Sequence, residues 1–144
     1  MRRSRLAADD GFTLVELLVV ILIIGILATV GLATFLNQRG KAQDAEAKSA
    51  VTVAAKAMEI YNGEHGSYAA ATPAALVKVE ASLGGAHNLT VTSSAKAYTV
   101  AVDSRGQGGT FSIARADDGG VTRDCTNPGA GVCAAQPDAQ GDRW

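Results

Sequence analysis

Between Leu17 and Leu36 the chain carries no charged residue. A helix rises about 1.5 Å per residue, so this stretch spans roughly 30 Å, the thickness of a bilayer core. Residues 12–36 are almost continuously apolar, whereas the remainder reads as a soluble, Ala- and Gly-rich protein. The overall hydrophobic content of 47% therefore averages two different materials and describes neither. Arg2, Arg3 and Arg5 precede the apolar run. Basic residues on that side place it in the cytoplasm, with the C-terminal portion outside.

A chain of 144 residues suits one domain and is short for two. The formal net charge of -1 gives no footing for a polyanion, and three arginines are too few for one. No nucleic-acid contact is expected. Cys125 and Cys133 form no CxxC pair, and His65 and His87 are distant in sequence, so a zinc site lacks ligands. Two nearby cysteines in a domain that leaves the cytosol read as one disulfide; free thiols would suit a cytosolic protein, which the apolar segment argues against. There is no nucleophile–base constellation and no phosphate loop. No catalytic residue, metal or cofactor is expected, and the chain is not read as an enzyme. Asp117, Asp118, Asp138 and Asp142 lie near Gly turns but fit no calcium loop, and they read as solvated acids. His65 and His87 read as solvated loop residues. Asn88-Leu89-Thr90 matches a glycosylation sequon, a pattern common by chance.

The apolar run admits three readings. A conventional signal peptide would be cut after Gly31-Leu32-Ala33, leaving Thr34 first, but its apolar core is normally only about 7–15 residues. A plain membrane anchor is the second. The third turns on Glu16, which sits among Leu14, Val15, Leu17 and Leu18. A carboxylate at membrane depth costs a few kcal/mol and is usually functional. Neither of the first two readings has a use for it, although a Glu near the interface could snorkel.

Gly11-Phe12-Thr13-Leu14-Val15-Glu16 resembles the class III signal sequence of type IV prepilins. The resemblance implies that a prepilin peptidase cuts between Gly11 and Phe12 on the cytoplasmic side and N-methylates Phe12. Gly11 would let the backbone approach the protease closely. It also implies that Glu16 of one subunit meets the new Phe12 amine of a neighbour in a filament. Such a pair sets register more than it adds net stability. Gly25 and Gly31 serve either close helix packing or local weakening. Relatives often have a proline in this region, and this chain has Ala33 at the matching place.

Residues 37–62 continue in helical character. Ala47, Val51, Ala54, Met58 and Tyr61 form a stripe at spacings of four and three, with Asp44, Glu46, Lys48, Lys56 and Glu59 largely off it. Gly40 is a possible bend, and Gly63-Glu64-His65-Gly66 marks the end. A loop is expected over residues 67–85, with a short helix over 74–79 after Pro73. Two to four strands follow, including residues 89–92, 97–102 and 110–113. They should form an antiparallel meander packed on the stripe through Tyr98, Val100, Val102, Phe111 and Ile113. The tail after Cys133 is expected to be exposed, and Trp144 either docks or lies on the surface.

The expected class is α+β, a pilin fold in which a long N-terminal helix packs on a small antiparallel meander. The expected segments are a removed leader (1–11), a transmembrane and assembly helix (12–36), its amphipathic continuation (37–64) and a globular head (65–144). The region between Cys125 and Cys133 resembles the disulfide-bounded end of many pilins. The resemblance implies a pilus subunit serving adhesion, twitching motility or DNA uptake. Its partners would be the peptidase, the assembly machinery, the membrane before assembly and other copies of itself. It would pass from a single-pass membrane precursor to a surface filament. A pseudopilin of a type II secretion system is the alternative, disfavoured by the cysteines and the missing calcium loop. A secreted binding module is the second alternative.

Overall fold

The computed structural model describes residues 11–144, which fall into two compact units divided between Leu36 and Asn37. The basic residues and most of the expected leader lie outside the described residues. One helix, α1 (Leu14–His65), is 52 residues long. It continues through Gly25, Gly31 and Gly40, so none of these glycines breaks it. Among the described residues of the first unit every large apolar side chain, Phe12 included, is exposed. The helix is long and apolar enough to cross a membrane.

In the second unit α1 presents the expected stripe. Ala47, Val51, Ala54, Met58 and Tyr61 are all buried, and Ala57 joins them. The helix ends later than residue 62. Gly66 takes the left-handed conformation (φ 72°) and its N–H bonds Asn62 O at 2.7 Å, the closure that glycine permits at a helix end. His65 is therefore a helix residue, not a loop residue. It stacks on Tyr61 at 4.0 Å, the ring one helical turn before it.

A second helix, α2 (Pro73–Val79), starts where proline's fixed φ suits a first turn. Thr72 Oγ1 caps it by accepting from Ala75 N at 3.2 Å. The expected loop also contains a 3-10 helix, Ala81–Gly85, begun by Glu80 accepting from Ser82 N. Leu76 and Leu83 fix both short helices to the core.

The sheet is a four-stranded antiparallel meander, β1 (Thr90–Ser93), β2 (Tyr98–Asp103), β3 (Thr110–Arg115) and β4 (Val121–Cys125), in that spatial order. Val100 pairs with Ile113 and Val102 with Phe111. With Tyr98 they make one buried face that joins the α1 stripe in a single core, as alternation requires. The chain is thus α+β with the long helix packed on an antiparallel sheet.

Asp44 departs from expectation. It precedes Ala47 by three residues and continues the stripe, and it is completely buried. Its Oδ1 accepts from Ser104 Oγ at 2.6 Å and from Gly108 N at 3.0 Å, and its Oδ2 from Val132 N at 3.2 Å. A charge can be buried when donors surround it. The surrounding glycines make room: a Cβ on Gly106 or Gly131 would collide with the Asp44 carboxylate. One side chain of α1 thereby holds the β2–β3 loop and the loop before Cys133.

Candidate processing and assembly site

The first described residues, Gly11 to Thr13, are non-helical, and Thr13 opens α1. Its Oγ1 accepts from Glu16 N at 3.2 Å and donates to Glu16 Oε2 at 3.4 Å. Thr13-Leu14-Val15-Glu16 is the T-x-x-E pattern of a helix start, and Glu16 N is shared between the Thr13 hydroxyl and the Thr13 carbonyl at 3.1 Å. The same four residues carry this signal in the sequence. Glu16 is exposed in the first turn, where a negative charge also complements the helix dipole. The expectation that a simple anchor would have no use for Glu16 is corrected accordingly: the residue helps to start the helix.

Gly11 is open on all sides, and a Cβ there would meet no atom within 4 Å. The same holds for Gly25 and Gly31. Among the described residues nothing demands glycine at these positions. The structure brings Gly11, Phe12, Thr13 and Glu16 together at the entry to an exposed apolar helix; the cysteines belong to the other unit.

There Cys125 and Cys133 form a disulfide. Cys125 ends β4, and the loop between them turns at Gly129 (φ 84°) and Gly131 (φ 58°). Thr126 N and Asn127 N donate to Thr110 O and Gly108 O, so the loop also follows the sheet. Trp144 docks on the head: its ring stands edge-on to Phe111 at 5.9 Å, and its Nε1 donates to Asp124 O at 2.8 Å. Part of the tail is correspondingly held rather than free. Three of the four acids set aside as calcium ligands have partners within the head: Asp118 and Asp138 accept from nearby turn N–H groups, and Asp142 pairs with Arg123 at 2.8 Å. His87 is an exposed turn residue.

A second polar centre was not anticipated. Glu59 accepts from Tyr68 Oη at 2.7 Å and Tyr98 Oη at 3.0 Å, and Arg115 lies 3.5 Å away. Burial first, and the bond to Glu59 second, raise both phenols above their ordinary values. The centre joins α1 to β2 and β3 and holds the groups of no evident chemistry.

The profile of the prokaryotic N-terminal methylation motif matches residues 7–32. The type IV wide pilus major component PilA4 of Thermus thermophilus is 33% identical over 129 residues, which is 90% of this chain and 95% of that protein. No solved structure matches. The likeness runs well past the motif and through the head. The chain belongs to the type IV pilin family.

Proposed function

We propose that the chain is a prepilin that matures into a structural subunit of a type IV pilus. In this reading residues 1–11 are a leader, cut off between Gly11 and Phe12 by a prepilin peptidase that then methylates Phe12. Residues 12–36 hold the subunit in the cytoplasmic or inner membrane and later bind it to its neighbours. Residues 37–64 support the head, and residues 65–144 form the filament surface, which serves adhesion, twitching motility or DNA uptake. The assembly machinery and other copies of the chain are its partners.

The observation that carries this reading is a carboxylate, Glu16, at the entry to a helix whose large apolar side chains as far as Leu36 are exposed among the described residues. Cleavage before Phe12 creates an amine close to that carboxylate in sequence. In a filament the Glu16 of one subunit and the Phe12 amine of another offset each other's desolvation. A pilus is favoured over a secretion pseudopilus by the Cys125–Cys133 bridge and by the relative, which is a pilus component.

Glu16→Gln and Glu16→Val test it. Glutamine keeps the capping pattern and loses the charge, while valine loses both. If pairing governs assembly, both variants are processed, stay in the membrane and leave few sheared filaments, since an unpaired buried charge costs about 3–5 kcal/mol. Immunoblots of sheared and membrane fractions read the outcome. Wild-type filament yield from the glutamine variant would reduce Glu16 to a helix cap and sink the pairing role.

A further inference from the structure

A sheet edge carries a row of unpaired N–H and C=O groups that can take a strand from another molecule. In this head β4 is the last strand of the meander, paired with β3 on one side. Its other edge is met at Arg123, the middle residue of the strand, by the segment that follows the disulfide. The segment reverses at Asp138–Gly141: Asp138 Oδ1 accepts from Gln140 N and Asp142 N at 2.9 Å, and Gly141 is left-handed (φ 86°).

The returning residues then satisfy both backbone groups of Arg123. Asp142 Oδ1 accepts from Arg123 N at 2.7 Å, and its Oδ2 takes the Arg123 guanidinium at 2.8 Å. Arg143 N donates to Arg123 O at 2.9 Å, while Arg143 O accepts from Ala134 N at 2.9 Å. The Arg143 guanidinium meets Asp124 at 3.0 Å. Trp144 adds its bond to Asp124 O and lies under Lys48 Nζ at 5.3 Å from the ring centroid. Side-chain charge, backbone bonds and an aromatic anchor thus converge on two residues of one edge strand.

We propose that residues 142–144 are an edge clasp that denies β4 to a strand from a second copy of this chain. The pilus reading is not needed for this inference, which stands on the head alone. Its use is greatest where copies are crowded side by side, because edge-to-edge pairing of heads would compete with any ordered packing.

The test uses the full chain in detergent micelles. Asp142→Ala keeps the length and the Trp144 anchor but frees Arg123 N. Its amide exchange should quicken roughly tenfold, the effect of losing one ordinary hydrogen bond, while Ile113 N stays protected. A chain ending at Gly141 should show a higher mass by light scattering than wild type in the same micelle. Adding Val121→Lys to it should restore the wild-type mass, because a lysine on the edge blocks strand pairing and leaves association through α1 untouched. Unchanged Arg123 exchange in Asp142→Ala overturns the clasp. So does a shortened, folded chain of wild-type mass, or extra mass that survives the lysine. Should the shortened chain fail to fold, the exchange rate in Asp142→Ala decides alone.

Discussion

A carboxylate that only accepts cannot be exchanged for its amide without placing donor against donor. Asp44 is in that position, with Ser104 Oγ, Gly108 N and Val132 N all directed at it. Asp44→Asn should destabilise the head by about 2–3 kcal/mol. Asp44→Leu strands every donor and should cost about 3–5 kcal/mol. Urea unfolding followed by Trp144, the one tryptophan in the chain, measures both. A leucine variant as stable as wild type would contradict the assignment. Gly11 is the opposite case. Among the described residues no atom would meet a Cβ there, so Gly11→Leu should leave the head's melting temperature unchanged. If a peptidase must approach that backbone closely, the variant accumulates uncut in cells that carry the enzyme, whereas normal processing would remove the junction from Gly11-Phe12.

Among the elements, the loop closed by Cys125 and Cys133 is fastened twice, once by the disulfide and once by hydrogen bonds. Closing so short a loop stabilises by roughly 2–3 kcal/mol. Replacing both cysteines by serine should lower the melting temperature while keeping one cooperative transition, because Asp44 still holds Val132 N. Melting followed by circular dichroism distinguishes this from loss of the fold. The helices and strands were legible unequally. The α1 stripe was plain from spacings of four and three, and β2 and β3 from alternation, because each buries one regular face. β4 went unnamed: Val121-Thr122-Arg123-Asp124-Cys125 is mostly polar, and its strand character comes from pairing with β3. The 3-10 helix was missed for a similar reason, since a side chain of Glu80 and the burial of Leu83 define it.

At the scale of the whole head, pH should act from both sides. Tyr68 and Tyr98 have folded values above the unfolded value of about 10. Their protonated forms stabilise fully below pH 10 or so, and that contribution is lost as pH rises toward the raised values. Asp103 is held below the usual carboxylate range, chiefly by the Thr110 hydroxyl at 2.6 Å and then by Asn88 at 2.9 Å, against burial. Its ionised form stabilises above about pH 4 and loses that effect as pH falls through the depressed value. Melting temperature against pH should therefore show a plateau with two limbs. Tyr98→Phe should flatten the alkaline limb and Asp103→Asn the acid one. A limb unchanged by its variant would assign it to other groups.

The sequence by itself determined the features that one-dimensional rules can read. A charge-free run is measured against bilayer thickness, the stripe against the helical period, and the run from Gly11 to Glu16 against a short contiguous motif. Two cysteines eight positions apart needed only proximity. Tertiary structure decided what depends on partners distant in the chain. Asp44 could be buried only because Ser104, Gly108 and Val132 converge on it. Glu59 became a centre only when Tyr68, Tyr98 and Arg115 reached it. Trp144, open to either fate in the sequence, was settled by Phe111 and Asp124. A periodicity reports which face of an element is apolar; it does not report which polar groups the folded chain will bring to a buried charge.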